Sequence, residues 1–373
     1  MANTNVLSGL ELTKWQKDFW REYVRDTGFA PYMGNSPTDI INVINDLDTD
    51  GYTIRIPLVG RLQGNGVTGD TLLGGQEESL DQYYQDISWE FYRHALSITK
   101  KQKKKSAVDL LGVMRPLLKE WASELKKYQL ISCFHTMSDG TAFENASAAQ
   151  RNTFSANNVD RILYGVTTSN YSATHATGLL TVDNTADKLS TVQGSLARFM
   201  ARQARPHIRP FKNGTQGREY YVMFCHPLCF RDLKADTAMI SANRDARSRE
   251  GDAMDKNPIF QDGDMIYDGV IYREIPEFYM GRQGNSSINP STHLTGLGAG
   301  GIDVGVNFLC GAQALGVVNK QAPLPTKKNE DDYGFVDGTG IELAHGFSKL
   351  RWNNGSGTNK DVGIVTVYSA AVA

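Results

Sequence analysis

Apolar and polar residues alternate one by one over residues 53–58, where Ile54, Ile56 and Leu58 are set against Thr53, Arg55 and Pro57. That period of two is the mark of a half-buried strand. The pattern then breaks into a glycine-dense stretch containing Gly60, Gly64, Gly66, Gly69, Gly74 and Gly75, followed by Glu77 and Glu78. A second alternating run follows, with Ile87, Trp89 and Phe91 on one face and Ser88, Glu90 and Tyr92 on the other. Two strands joined by a long flexible tip predict an extended hairpin, and an isolated hairpin is marginally stable at best in water. The rest of the sequence offers no evident cover for its apolar face. The expectation is therefore an arm covered partly by a second chain, with Gly64, Gly66, Gly69, Asp70, Glu77 and Glu78 in its tip and Ile87, Trp89 and Phe91 on its apolar face.

Helical spacing appears elsewhere. Trp15, Phe19, Trp20 and Tyr23 predict an amphipathic helix over 13–26, ended by Gly28. Leu111, Met114, Leu118, Trp121, Leu125 and Tyr128 step by three and four and predict one long helix. Ser106 and Asp109 stand near a capping-box arrangement before it, Pro116 should kink or restart it, and Lys126 and Lys127 fall in its expected last turns. Residues 138–186 turn to Ser, Thr, Asn and Ala and read as loops and short elements, an insertion or domain junction. Beyond them the pattern predicts a helix over 187–205 stopped by Pro206, a buried strand over 219–225, and a short helix opened by Pro227. A hairpin turning at Asp268-Gly269 and a glycine-rich loop over 281–301 come next. Apolar strands follow at 302–310, 314–319, 341–352 and 362–370. The fold class is α+β.

Composition narrows the function only a little. At 373 residues, 40% hydrophobic and 21% charged, the chain can bury a substantial core. A formal net charge of −2 excludes a protein whose whole surface grips nucleic acid. The four cysteines, Cys133, Cys225, Cys229 and Cys310, make no disulfide framework and fit a reducing cytosol. No secretory signal opens the chain and no apolar run is long enough to span a bilayer, so no membrane partner is expected.

Candidate chemistry is sparse. Residues 64–69 fit GxGxxG, but Gly74-Gly75 follow too soon for the helix that a pyrophosphate site requires. Residues 46–51 copy the first half of a calcium loop, yet position 12 is Pro57 instead of the bidentate Glu. Cys225, His226 and Cys229 gather soft ligands without a second pair, and His135 lies near Cys133. A thiol- or metal-dependent enzyme centred on Cys225, His226 and Cys229 is the alternative from another class; a buried thiol is the plainer reading. No other catalytic motif stands out, and neither a catalytic residue nor a cofactor is expected. Lys100, Lys101, Lys103, Lys104 and Lys105 form the densest charge run, either a solvated turn or a contact with carboxylates or phosphate. Arg244, Arg247 and Arg249 are interleaved with Asp245 and Glu250 and read as self-neutralised.

The arm segment, with its PLV strand, LQGNGVTGD and GQEE, resembles the arm loop of tailed-bacteriophage major capsid proteins of the Hong Kong 97-like fold. Four later segments fit the same group in order: EYYVMFCHPLCFRDLKAD, PIFQDGDMIYDGVIYREIPEF, FLCGAQALGVVNK and DVGIVTVYSAAVA. The resemblance implies an N-terminal arm (1–49), an extended loop (50–98), a peripheral domain with a long spine helix (99–186) and an axial domain (187–373), with peripheral strands returning at 258–280 and the C-terminus. It implies a structural, non-enzymatic protein of the virion, assembled in the host cytoplasm. Copies would form hexamers and pentamers of an icosahedral shell around double-stranded DNA, with portal and scaffold or decoration proteins as partners. An encapsulin-like compartment shell shares the architecture.

Overall fold

The computed structural model describes residues 28–45, 51–60, 62, 64–70, 72–106, 110–213, 218–247, 264–279, 293–327, 335–353 and 359–373. The helix expected over 13–26, the acidic turn at 46–50, Asp109 and most of the 281–301 loop lie outside them, as do the side chains of Arg244, Arg247 and Arg249. Strands β1 (Met33–Gly34), β2 (Ile41–Asn45), β3 (Thr53–Val59), β4 (Gln82–Ser88) and β5 (Glu90–Thr99) come first, followed by helices α1 (Lys100–Lys105) and α2 (Leu110–Phe134). Next are α3 (Ala148–Asn157), β6 (Ile162–Tyr164), α4 (His175–Leu179), α5 (Thr191–Gln203), β7 (Phe211–Asn213) and β8 (Arg218–Cys225). Helices α6 (Pro227–Ala235) and α7 (Thr237–Arg247) precede β9 (Met265–Tyr267), β10 (Val270–Glu274), β11 (His293–Leu294) and β12 (Val304–Cys310). Strands β13 (Leu315–Lys327), β14 (Val336–Lys349), β15 (Arg351–Trp352), β16 (Lys360–Asp361) and β17 (Ile364–Ala370) complete the order.

The chain divides into two compact units. The larger holds Thr27–Glu90, Leu125–Lys320 and His345–Ala373. Its centre is an eight-stranded sheet with the path β6-β17-β12-β8-β10-β9, on which β11 pairs with β12 and β7 with β8. Successive side chains of a strand point to opposite faces, and here both faces are buried. Val222, Phe224, Val306, Phe308, Ile364 and Tyr368 enter one core. Their neighbours Tyr221, Met223, Leu309, Val365 and Val367 enter the other. The end of α2 (Ile131, Phe134) and Phe154 of α3 cover the first face; α5, α6 and α7 cover the second with Ala197, Phe230 and Met239. Two-sided burial is why these strands read as unbroken apolar runs. The Asp268-Gly269 turn has both residues at positive φ (46° and 70°), the geometry of a tight hairpin between β9 and β10.

The smaller unit, among the described residues, comprises Phe91–Glu124 and Gln321–Ala344. Here Leu118 and Ala122 of α2 pack on Ile341 and Leu343 of β14, flanked by Tyr92 and Leu96 of β5. Strands β1, β2, β13, β14 and β5 pair in that order as a five-stranded sheet, of which β5 from Phe91, β13 from Gln321 and β14 to Ala344 belong to this unit.

Pro116 lies inside α2, and the helix runs on to Phe134. Four expectations need correction. Lys127 is mid-helix and buried, its ammonium 3.2 Å from Glu277 Oε1, instead of sitting at a C-terminal dipole. Residues 138–186 are no loose insertion: Phe143, Phe154, Tyr164 and Leu179 are core residues, and β6 pairs with β17. Their elements are too short for any period to show. The lysine run is not a turn but α1 itself. Thr99 caps it, accepting the Gln102 N–H, while the Gln102 side chain accepts the Thr99 N–H. Ser106, expected to open the next helix, is instead the C-cap of α1.

Candidate assembly surface

The hairpin β3/β4 pairs antiparallel from Thr53 opposite Ser88 to Val59 opposite Gln82. Its root has a platform on its own chain. Leu58, Ile56 and Tyr83 pack with Leu350, Val362 and Trp352, the Tyr83 and Trp352 rings meeting edge-on at 5.1 Å. The Tyr84 N–H donates to the Asn353 carbonyl at 3.0 Å. Across the outer face, Arg55 and Asp86 form a two-pronged ion pair (2.7 and 2.8 Å), which holds the Asp86 carboxyl below the usual range.

The platform alternates in the same way as the hairpin. Leu350, Trp352 and Val362 face the hairpin, while Lys349, Arg351 and Asp361 between them point inward. Asp361 lies 2.6 Å from the Lys349 ammonium and 3.4 Å from Arg351 Nε, all three essentially without solvent exposure. Burial pulls the Lys349 ammonium below its usual pKa, and the Asp361 charge opposes that pull. Arg351 also donates to the Thr136 carbonyl at 3.2 Å.

This platform corrects the expectation of an uncovered arm at its root. Ile87 is 0% exposed within its own chain and cannot be covered by a neighbour. The Cβ that an alanine at 316 would add falls 2.6 Å from Ile87 Cδ1, so Gly316 makes the room. The alternation of Ile87, Trp89 and Phe91 is also not one strand face. The chain leaves the hairpin at Ser88 and enters the five-stranded sheet at Glu90. Trp89 sits at the crossing, its indole N–H donating to the Gly51 carbonyl at 2.8 Å, and Phe91 is exposed on β5. Gly346 permits the crossing, since a Cβ there would lie 2.1 Å from the Ser88 carbonyl oxygen. The sequence signal for the platform was the alternation Leu350-Arg351-Trp352, which a reading confined to single elements passes over.

The tip is the opposite case. A Gly60 N–H to Asp81 carbonyl bond (2.9 Å) closes it. Gly66, Gly69 and Gly75 take φ of 72°, 68° and 87°, a region open chiefly to glycine. Glu78 accepts the Gly64 N–H and Glu77 the Gly75 N–H, each at 2.7 Å, so the two carboxylates fasten the loop to itself. Asp70 sits in an exposed turn. Leu62, Leu72, Leu73 and Leu80 are all exposed, Leu72 to 84%. These leucines, scattered at no fixed spacing, are what sequence reading missed. The GxGxxG segment opens no helix.

All five lysines of α1 are exposed; Lys103 lies 3.6 Å from Asp337, and the Lys100 N–H donates to the Phe335 carbonyl at 2.9 Å. The structure does not gather the hairpin residues and the lysines into one chemical centre. Cys225 and Cys229 are wholly buried, and burial pushes the Cys229 thiol to about 12 and that of Cys225 well above its usual value. Thiolate is the reactive form, and burial disfavours it at both. His226 is buried between the backbone and the Tyr279 ring. Among the described residues no three of His, Cys, Asp or Glu are placed to hold a metal ion, and no helix is long and apolar enough to cross a membrane.

Comparison with known proteins supplies what the geometry alone does not. The major capsid protein of Pseudomonas phage KPP25 is 26% identical over 385 residues, covering 99% of this chain and 98% of that protein. The capsid asymmetric unit of cyanophage Pam1 superposes with a TM-score of 0.87 at 33% identity, each chain covered completely. The capsid of Ralstonia phage GP4 shares the fold at a TM-score of 0.71 and 20% identity, over 100% of this chain and 99% of that one. Residues 3–373 match the phage capsid protein family, and with so nearly complete a match, carried by the same α+β capsid fold, the chain belongs to that family.

Proposed function

We propose that this chain is the major building block of a tailed-phage head, a structural protein whose copies close an icosahedral shell of hexamers and pentamers around packaged double-stranded DNA. The observation that carries the reading is the end-to-end likeness to the cyanophage Pam1 capsid subunit. The exposed tip of the hairpin supports it. A lone enzyme has no use for a long acidic loop bearing uncovered leucines, whereas exposed apolar groups rimmed by polar ones mark contact surfaces. Each tip lies on the next subunit, and shell closure follows from repeating that contact. Portal and scaffold or decoration proteins are the expected partners, DNA meets the inner surface without sequence preference, and assembly takes place in the host cytoplasm. In this reading 1–49 act as the arm, 50–98 as the extended loop, 99–186 as the peripheral domain and 187–373 as the axial domain, with peripheral strands returning at 258–280 and the C-terminus. Burial disfavours the thiolate at Cys225 and Cys229, which weighs against the enzyme alternative. Negative-stain microscopy of the purified chain is the test: closed shells of uniform diameter are expected, and a protein that stays monomeric across concentration, salt and scaffold conditions overturns the proposal.

A further inference from the structure

The tip and α1 carry matching chemistry on different parts of the chain. Between Gly60 and Asp81 the sequence holds four carboxylates, Asp70, Glu77, Glu78 and Asp81, against the single Arg61. Beside them stand exposed leucines at 62, 72, 73 and 80. Helix α1 presents five lysines, and among the described residues Asp337 is the carboxylate that pairs with one of them. Next to α1, Phe335, just before β14, has its carbonyl on the Lys100 N–H, and it is 42% exposed. One surface is acidic with bare leucines; the other is basic with a bare aromatic ring.

We infer that the acidic tip of one copy docks on the lysine helix α1 of a second copy, its leucines meeting Phe335 while its carboxylates meet the lysines. This inference rests on the shell reading and names the partner surface within it. Opposite charges across such a contact steer encounter and fix register more than they add raw affinity, and the leucines supply the apolar burial. A phosphate backbone would satisfy the lysines alone and leave Phe335 uncovered. The second copy answers both halves of the surface, and DNA answers one. Fastening of Glu77 and Glu78 to Gly75 and Gly64 holds the tip in shape before it docks, which lowers the ordering cost of docking.

Two measurements test it. In the first, a fluorescent peptide of residues 60–81 is titrated by anisotropy against the full chain carrying Asp70→Asn, Glu77→Gln and Glu78→Gln, so that the protein's own tips do not compete. Adding Lys101→Glu, Lys104→Glu and Lys105→Glu to that protein should weaken peptide binding roughly tenfold or more, the sum expected from several exposed ion pairs. Unchanged affinity overturns the inference. In the second, shells are scored by microscopy. Reversal of the tip at Asp70→Lys and Asp81→Lys, which spares the two carboxylates that fasten the loop, or of the helix (the three Lys→Glu changes) should each stop closure without altering the melt of the subunit. The two together in one chain should restore it. Combined variants that close no better than the single sets overturn the pairing. Helix reversal that leaves shells intact but loses retained DNA assigns α1 to DNA and overturns it as well. A wild-type chain that forms no shells rejects the shell reading, while the peptide titration still decides the docking.

Discussion

The root and the tip of one hairpin are built by opposite rules. At the root, Leu58 and Ile87 are buried, and Gly316 and Gly346 are shaved to hydrogen so that strands can cross at close range. At the tip, leucines stand in solvent and the loop is fastened by backbone N–H groups to the Glu77 and Glu78 carboxylates and by the Gly60–Asp81 backbone bond. The root therefore sets where the arm points, and the tip is left free to recognise. A structure that must be rigid as a subunit and adhesive as an assembly separates the two tasks within about forty residues of chain.

That contrast can be broken or sharpened by substitution. Asp361→Ala should have the largest effect on folding. It strands Lys349 and Arg351 without a counter-charge beneath the root, and removing one partner of a buried ion pair costs about 3–5 kcal/mol. Urea unfolding reads the loss, and a midpoint equal to wild type would mean that the platform does not hold the root. Ile87→Ala should follow at about 2–5 kcal/mol, whereas Leu72→Ala should stay within about 0.5 kcal/mol of wild type. Equal losses at the two sites would erase the distinction between root and tip.

Acid separates the regions differently. Burial pulls His175 down to about 4 and His345 to about 3, and lowers His135 well below its usual value. The unfolded chain then binds more protons than the folded one below about pH 6.5, so stability is full above that pH and falls as pH drops toward about 4. No histidine lies between Gly60 and Asp81. Lowering pH from 7 to 5 should therefore reduce the thermal midpoint of the subunit through its buried core. A midpoint flat across that range would show that these histidines are not buried neutral.

Even the largest change in sequence should have only a small effect on folding. Removing residues 61–76 should shift subunit stability by no more than about 1 kcal/mol, since exposed residues away from packing contribute little, yet closed shells should vanish from micrographs. Lost cooperative melting in that variant would make the tip part of the core.

Strands β8, β12 and β17 of the central sheet were legible because each is buried on both faces and announces itself as an apolar run, as YYVMFC does for β8. The Asp268-Gly269 turn was legible because its backbone demands those residues. What sequence could not give was mutual cover. Nothing in Leu58 says that Leu350 and Val362, more than two hundred and fifty residues away, pack against it. Short elements of 138–186 and the six-residue α1 were invisible for a related reason: one or two turns do not establish a period. Trp89 misled because a strand that changes sheet keeps its alternation through the crossing. The tip glycines and acids were visible as residues, but their exposure and their hold on the loop backbone are facts of the fold.

The bond between the Gly60 N–H and the Asp81 carbonyl makes the tip a closed loop, and closed loops obey polymer statistics. The entropy of bringing two ends together grows only with the logarithm of the length between them, so doubling such a loop costs about 0.6 kcal/mol. Residues can thus be inserted between the two ends, or lost from between them, with little penalty to the subunit that carries them. In the proposed assembly the loop spans the distance to the next copy, and a head protein could change that reach by drift in a single segment while every buried strand stays as it was.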